Sequence, residues 1–398
     1  MNEPKLRFKA DDGSQFPDWK EKVFGDFVDT HLEKTSDKDK YPLYSLTIES
    51  GVQPKTDRYE REFLVKKEGD NYKIVPPNAF VYNPMNLRFG ALKVNHEKFS
   101  VSVSGYYDVF SLKDDSVLAF WENYLAIPKM LNYYFSIATG SLIEKLRVHY
   151  SQFVKIKRPL PSLPEQQKIA EFLSMIDTVI EKQREIVSAW EERKKGVMQK
   201  LFSQKVRFKA DDGSEFPKWK EKRLGDVFTE RTERSKGGEI LLSVTIAQGI
   251  VRQSETDKRN TASENKSNYK IVKRNDLAYN TMRMWQGAEG VSEYDGIVSP
   301  AYTVITALDG NNSYFFEILF KQTFMLQIFQ RYSQGLTSDT WNLKFPAFSE
   351  IKCLVPCEDE QNKIVECVTV LDSVIEKQKA TLAAWKELKK GLLQQMFV

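Results

Sequence analysis

The sequence is poor in the residues that carry metal, redox and proton-transfer chemistry, with three histidines and three cysteines among 398 residues. Three cysteines cannot close a disulfide framework, so we expect a reducing, cytoplasmic compartment. No run approaches the ~18 apolar residues of a membrane span, and the charged N-terminus lacks the apolar core of a signal peptide. The net charge of +4 does not by itself indicate a nucleic-acid binder. The 41% apolar and 29% charged composition predicts a soluble globular protein of two or three domains.

Motifs of several enzyme classes are also missing. The chain has neither a GxxxxGK[ST] phosphate-binding loop nor an HExxH zinc motif. Asn83-Pro84-Met85 shares only part of an adenine methyltransferase motif, because the second proline and the aromatic residue are absent. The cysteines lack a fourth nearby zinc ligand and are interpreted as reduced core residues, and the histidines as incidental. These residues are His31, His96, His149, Cys353, Cys357 and Cys367. The sequence therefore predicts neither a catalytic constellation nor a metal site.

What the chain does contain is an internal repeat. Residues 7–26 (RFKADDGSQFPDWKEKVFGD) and 207–226 (RFKADDGSEFPKWKEKRLGD) are identical at 16 of 20 positions, at an offset of 200. Residues 165–202 and 360–397 are identical at 19 of 38 positions, at an offset of 195. The chain thus alternates a variable unit with a nearly invariant segment twice, which predicts a pseudo-twofold internal repeat.

The variable units are related more weakly, but in the same order. NYKIV at 71–75 recurs at 268–272, and YNPM from Tyr82 is matched by YNTM from Tyr279. Framework positions persist while the intervening loops differ in sequence and length. We therefore expect two units of one fold that present different loops.

Each nearly invariant segment shows the alternating 4-3 apolar spacing of a coiled coil. Two such stripes on one chain would most simply pair antiparallel. The first stripe consists of Ile169, Leu173, Ile176, Ile180, Gln183, Val187, Trp190, Lys194, Val197 and Leu201. The second consists of Ile364, Val368, Leu371, Ile375, Gln378, Leu382, Trp385, Lys389, Leu392 and Met396. The polar members are either solvated seam ends or residues that fix register and partner. Ser162 and Glu165 have the spacing of a capping box before the first helix.

The variable units have the composition of mixed α/β domains. Short β-rich runs occupy residues 41–48, 72–75, 79–82, 99–103 and 106–112. One longer apolar helix per unit is expected at 117–138 and 314–332. Gly140 and Gly335 are expected to end these helices as C-caps. The fold class is therefore α/β (mixed), with two globular domains separated by two long antiparallel coiled-coil helices. The predicted boundaries are 1–162, 163–205, 206–357 and 358–398.

Basic residues with polar and aromatic neighbours concentrate in particular loops. Arg, Lys, Asn and Gln are the residue types that read base edges or hold phosphates, although surface lysines and arginines usually serve only solubility. The candidates are Lys55, Arg58, Arg61, Lys66, Asn86, Arg88, Lys93, Arg252, Lys258, Arg259, Lys266, Arg283, Trp285 and Gln286.

This arrangement resembles the specificity subunit of type I restriction–modification enzymes. FPDWK at 16–20 and FPKWK at 216–220 look like the start of each target-recognition domain of that family. PSLPEQQKIA at 161–170 looks like the start of its conserved helical region. VPCEDEQNKI at 355–364 repeats that motif, with Cys357 and Asp359 as departures.

The resemblance implies a non-catalytic subunit in which each target-recognition domain binds one half of a bipartite, asymmetric site in double-stranded DNA. The helices would set the spacing between the halves and dock two methyltransferase subunits, and restriction subunits would complete the complex. S-adenosylmethionine, ATP and Mg would then belong to those partners, with no cofactor bound by this chain. Host defence by restriction–modification is the expected setting.

Two other functions remain open from the residues alone. The first is a non-catalytic coiled-coil scaffold with two protein- or glycan-binding domains. The second is a self-sufficient methyltransferase or nuclease, which would act on DNA without partners.

Overall fold

The computed structural model describes residues 4–48, 51–55, 72–246, 248–256 and 265–397. The chain forms two compact units: Met1–Ile186 with Gln378–Val398, and Val187–Lys377. Each unit therefore contains part of both long helices. The four domain boundaries drawn from the sequence stay a prediction. No helix in the described part of the chain is long and apolar enough to cross a membrane.

The first unit contains eleven described strands and three short helices before the first long helix. The strands are β1 Lys20–Val23, β2 Val28–His31, β3 Lys34–Thr35, β4 Tyr44–Thr47, β5 Gly51–Pro54, β6 Tyr72–Val75, β7 Phe80–Tyr82, β8 Leu92–Val94, β9 Val101–Val103, β10 Asp108–Leu112 and β11 Lys157–Leu160. The helices are α1 Leu118–Tyr124, α2 Pro128–Ile137, α3 Tyr150–Phe153 and the long α4 Leu163–Phe202.

The second unit repeats this order. Its strands are β12 Lys220–Arg223, β13 Phe228–Glu230, β14 Leu242–Thr245, β15 Gly249–Arg252, β16 Lys270–Val272, β17 Leu277–Asn280, β18 Glu289–Val291, β19 Gly296–Val298, β20 Tyr302–Ala307 and β21 Lys352–Val355. Its helices are α5 Ser313–Phe320, α6 Thr323–Tyr332, α7 Phe345–Ser349 and the long α8 Glu358–Met396.

Each unit is built around an antiparallel four-stranded sheet. The strand order is β2-β10-β7-β8 in the first unit and β13-β20-β17-β18 in the second. A hairpin, β4-β5 or β14-β15, accompanies each sheet. A two-stranded ribbon, β1-β11 or β12-β21, pairs the start of each unit with the strand that precedes its long helix. This confirms the expected mixed α/β units.

Aromatic side chains fill the main core of each unit. In the first unit Phe24 and Trp121 pack edge to face, and Phe397 after α8 contacts Phe120 at a 5.6 Å centroid distance. In the second unit Phe202 at the end of α4 lies 6.2 Å from the ring of Trp219. The helix ends are therefore part of the globular cores.

The single helix expected at 117–138 is wrong, because α1 and α2 are separate helices. Pro128 is the first residue of α2, and Ile127 before it is extended at ψ 149°. A proline disfavours the helical conformation of its predecessor, so the helix breaks there. The second unit also breaks, at the extended Gln322.

The glycines expected as C-caps do not cap these helices. The helices end at Ile137 and Tyr332, in each case followed by an extended residue. Gly140 and Gly335 instead open hairpin loops: a Cβ there would lie 2.7 Å and 2.6 Å from the carbonyl oxygens of residues 145 and 340. Gly335 also has a φ of +143°. The close approach of the two loop sides therefore requires glycine.

The capping box expected at Ser162 is also wrong. Ser162 Oγ has no hydrogen-bond partner among the described residues. The buried carboxylate of Glu165 instead accepts two hydrogen bonds from Arg7, at 3.0 Å from Nε and 2.8 Å from Nη2. The same Arg7 Nη2 donates to the carbonyl of Pro17. The repeated segment 7–26 is therefore anchored to the start of α4.

The second unit has the same anchor with one additional contact. Arg207 donates to Glu360 from Nε at 3.0 Å and from Nη2 at 2.6 Å. Trp219 Nε1 donates to the same carboxylate at 3.0 Å. Bidentate arginine–carboxylate pairs combine strong hydrogen bonds with fixed geometry. The anchor orients α8 on the second unit.

Candidate functional site

In the first unit, a 3₁₀ turn at Leu87–Phe89 presents side chains beyond the end of β7. The side-chain oxygen of Asn83 accepts a hydrogen bond from the backbone N–H of Met85 at 3.0 Å, which starts the turn. Gly90 ends the turn at a φ of +89°, where a side chain would be strained. Asn86, which precedes the turn, is exposed. The turn is therefore defined by contacts within residues 83–90.

The second unit builds the same turn at Met284–Gln286. Asn280 accepts from the N–H of Met282 at 3.0 Å, and Gly287 ends the turn at a φ of +82°. Arg283 occupies the position before the turn. The scaffold residues are kept in both units, whereas the residues that the turn presents are different.

A hairpin loop at 140–146 lies against the first turn. Arg88 Nη2 donates to the carbonyl of Ile143 at 2.8 Å. Its guanidinium lies over the rings of Phe89 at 4.6 Å and Phe135 at 5.5 Å. Arg88, one of the candidates selected from the sequence, therefore also holds the loop against the turn. We call residues 86–89 and 140–146 together the first turn–loop surface.

The second turn contacts its loop, residues 335–341, through aromatic packing. The rings of Trp285 and Trp341 meet edge to face at a 5.3 Å centroid distance. Trp285 Nε1 donates to the carbonyl of Met282 at 3.1 Å. The backbone N–H of Leu343 after the loop donates to Thr281. We call residues 283–286 and 335–341 the second turn–loop surface.

Both loops carry apolar side chains at their tips. Leu142 and Ile143 are 55% and 73% exposed, and Leu336 is fully exposed. The sequence reasoning did not select these residues, because it searched for basic side chains. A signal was available: the glycines at 140 and 335 correspond in the repeat, while the residues that follow them differ.

The structure brings the candidates Asn86 and Arg88 together on the first surface, and Arg283, Trp285 and Gln286 on the second. Two other candidates lie at the hairpins, and two lie in or shortly before other strands. Lys55 follows β5, Lys93 lies in β8, Arg252 ends β15 and Lys266 lies shortly before β16. The predicted residues Arg58, Arg61, Lys66, Lys258 and Arg259 lie outside the described residues.

Of the hairpin candidates, Arg252 has the best-defined surroundings. It is exposed, its guanidinium lies 4.7 Å from the ring centre of Tyr294, and Glu255 is 3.7 Å away. Stacking on an aromatic ring holds the guanidinium plane in a fixed orientation. Nothing in these contacts joins Arg252 to the second turn–loop surface.

The predicted coiled-coil positions form the contacts of the long helices. In the first unit Gln183 Nε2 donates to Gln378 Oε1 at 2.7 Å, and Lys389 Nζ bonds Asp177 at 2.7 Å. These two contacts advance in opposite directions along α4 and α8, so the pairing there is antiparallel, as expected. In the second unit, Lys194 forms an ion pair with Asp372 at 2.5 Å.

The burial of the stripe follows the predicted spacing. Gln183 is buried, which rules out a solvated seam end at that position. Ile169, Leu173, Ile176, Ile180, Val187, Ile364, Val368 and Ile375 are also buried, and Trp190, Leu371, Gln378, Leu382 and Trp385 are half-buried.

The described residues contain no group of three or more His, Cys, Asp or Glu side chains that could hold a metal ion. Cys353 is a buried free thiol in β21, and burial raises its pKa to about 12. A thiol with a pKa that high is protonated at neutral pH, which suits a small core residue and not a nucleophile.

Comparison with known proteins gives a consistent result. The profile of the type I restriction modification DNA specificity domain matches residues 18–187 and 217–384. The fold is similar to that of a type I restriction–modification system S subunit from M. genitalium, with a TM-score of 0.56, 15% identity and coverage of 100% of this chain and 99% of that one. A chain solved in work on complex assembly and conformational transition of the type I R-M system matches with a TM-score of 0.54, 14% identity and coverage of 96% and 99%.

Proposed function

The chain belongs to the type I restriction modification DNA specificity family, and on that premise we propose that it selects the DNA sequence on which such a complex acts. Each unit reads one half of a bipartite, asymmetric site in double-stranded DNA. The observation that carries this proposal is the pair of turn–loop surfaces, which share a scaffold and present different side chains. Two readers of one fold with different contacts suit a site whose halves differ in sequence.

The long helices supply the second part of the proposal. The 40 residues of α4 correspond to about 60 Å of helix at 1.5 Å per residue. The helical pair sets the length of the spacer between the half-sites, since a stiff connection allows both readers to engage only at matching separation. The repeated residues on the helices also offer two methyltransferase subunits equivalent docking positions.

The chain itself contributes recognition and no chemistry. Methylation with S-adenosylmethionine, and cleavage with ATP and Mg, belong to the methyltransferase and restriction subunits. This division is supported by the absence from the sequence of the phosphate-binding and methyltransferase motifs named above. The small net charge fits a subunit that selects sequence while its partners contribute to phosphate binding.

The proposal is tested by methylome sequencing of a host that expresses this chain with its methyltransferase. We expect one bipartite motif. A variant for the same measurement carries one heptad inserted after Gln183 and another after Gln378, residues that contact each other across the pair. Because a heptad adds about 10 Å, the accepted spacer should lengthen by about three base pairs.

In the heptad variant both half-sites should stay unchanged. A changed half-site at the original spacer length would contradict the proposed division between readers and spacer. Binding to proteins or glycans without any duplex preference would favour the scaffold function. Methylation by the isolated chain would establish a self-sufficient enzyme instead.

A further inference from the structure

The turn–loop surfaces combine two elements that are far apart in sequence and carry equivalent positions in both units. The scaffold residues Asn83, Gly90 and Gly140 correspond to Asn280, Gly287 and Gly335. In contrast, every exposed or half-exposed position within residues 86–89 differs from its counterpart in residues 283–286. Asn86, Arg88 and Phe89 correspond to Arg283, Trp285 and Gln286. The two surfaces are therefore one framework with two sets of contacts.

Each loop is held against its turn, the first through Ile143 at its centre and the second through Trp341 at its end. Arg88 binds the backbone of the first loop, and Trp285 packs on Trp341 in the second. Loops that are ordered before binding lose less conformational freedom when they meet a partner. Leu142 and Ile143 are adjacent and both exposed, and neighbouring exposed apolar side chains, unlike single ones, are typical of interaction sites.

The chemistry of the surfaces fits base edges in a groove of DNA. The first loop places Lys145 and the apolar Leu142 and Ile143 close in sequence, with Glu144 as its acidic residue. The second surface offers Gln286, threonines of the loop and the fully exposed Leu336. Arg, Lys, Asn and Gln bond base edges, and apolar side chains contact the thymine methyl group.

On the basis of the proposed function, we infer that the turn–loop surface of each unit is its base-reading element. Leu142 and Ile143 in the first unit, and Leu336 in the second, contact base edges. A protein partner is the weaker match. Two copies of one methyltransferase subunit require equivalent surfaces on both units, and the nearly invariant segments provide such surfaces. The turn–loop surfaces differ where two DNA half-sites must differ.

The test uses the complete complex of this chain with its methyltransferase and the bipartite duplex found for the wild type. The variants are Leu142→Ser with Ile143→Ser, and separately Leu336→Ser. Leu32→Ser is the matched control, because Leu32 is 71% exposed and lies next to β2 in the first unit. We expect each loop variant to bind the duplex about 10- to 100-fold more weakly or to relax one half-site, while the other half-site is unchanged.

Circular dichroism melting and co-purification of the methyltransferase accompany the binding measurement. Unchanged affinity and half-sites in both loop variants, as in Leu32→Ser, would overturn the inference while leaving the proposed function intact. Loss of the methyltransferase from a folded variant would assign the surface to that protein and also overturn it. A wild-type complex without any bipartite preference would contradict the proposed function itself.

Discussion

At the same position of the central sheet, the first unit has His31 where the second has Arg231. His31 Nε2 lies 2.7 Å from Ser111 Oγ, a hydrogen bond that carries no charge when the ring is neutral. Arg231 Nη2 donates to the equivalent Thr306 at 3.2 Å and also forms a bidentate pair with the buried Asp276. The second unit thus has an arginine–aspartate ion pair where the first has a histidine–serine hydrogen bond.

A lysine that is kept in both units shows how such exchanges are compensated. Lys73 bonds Asp108 of β10 at 3.1 Å, whereas the corresponding Lys270 bonds Glu230 of β13 at 3.3 Å. The carboxylate partner therefore lies on non-equivalent strands in the two units, while the lysine is paired in both. A shared fold therefore does not require shared interior charges, because each buried charge needs only some partner within reach.

One exchange is compensated only by a distant ion pair. Leu92 of the first unit corresponds to Glu289, whose side chain is fully buried. Neither carboxylate oxygen has a hydrogen-bond partner among the described residues, and Lys321 Nζ is 3.8 Å away. Burial raises the pKa of Glu289 well above its ordinary range. The second unit therefore carries a destabilising group that the first unit lacks.

The largest expected effect concerns the anchors of the helices. Glu360→Ala leaves Arg207 and the indole N–H of Trp219 without their partner and should destabilise the chain by about 3–5 kcal/mol. Glu165→Ala should cost about 1 kcal/mol less, because Trp19 Nε1 makes no bond to Glu165. Urea unfolding measures both. The exposed Glu366→Ala is the control, and equal losses in the two anchor variants would refute the difference between the units.

A second variant converts the ion pair of the second unit to the arrangement of the first. Asp276→Ala introduces the residue found at Ala79 and should cost about 2–4 kcal/mol, because Arg231 keeps no buried partner. Adding Arg231→His should recover part of that loss. A double-mutant cycle by chemical denaturation gives the coupling, and additive losses would show that the pair is not coupled.

A third variant, Glu289→Leu, should stabilise the second unit by about 1–2 kcal/mol at pH 7, because it replaces a buried carboxyl group that has no hydrogen bond among the described residues. Because the pKa of Glu289 is raised in the folded chain, protonation of Glu289 favours folding. This contribution to stability is fully present below the ordinary pKa of 4.5. That contribution is lost as the pH rises toward the raised value. The gain from Glu289→Leu should therefore grow with pH. Denaturation at several pH values checks this, and a pH-independent gain would contradict it.

The smallest effect is expected in the helical seam, where Gln183 and Gln378 are the same in both repeats. Replacing both with Leu should stabilise the pair by about 0.5–1 kcal/mol and weaken its register, because a polar pair in an apolar seam fixes alignment at a cost in stability. Thermal melting measures the first effect. Cross-linking of cysteines introduced at 177 and 389 with a flexible bifunctional thiol reagent measures the second, and a uniquely aligned Leu variant would exclude a register role.

The long helices and their pairing could be predicted from the sequence because their signal is local and periodic. A 4-3 spacing places Ile169 and Leu173 on one face whatever the rest of the chain does. The breaks between the shorter helices were harder to predict. Pro128 signals the break in the first unit, but no proline marks the equivalent break at Gln322. The capping box failed because Glu165 is paired with Arg7, which lies 158 positions earlier.

The turn–loop surfaces include residues that a sequence search by residue type does not select. A search for basic loops selects Arg88 and Arg283 but passes over Leu142, Ile143 and Leu336, since apolar residues in a sequence suggest burial. Only the fold shows that they are exposed and lie against the turn.

The sequence by itself determined the duplication, the coiled-coil stripes and the family, because internal repeats and heptad spacing can be recognised from the order of the residues alone. The tertiary structure decided which distant residues meet: Arg7 with Glu165, Arg88 with the carbonyl of Ile143, and Trp285 with Trp341. Such contacts depend on packing and on the need of each buried polar group for a partner, and neither requirement specifies a separation along the chain.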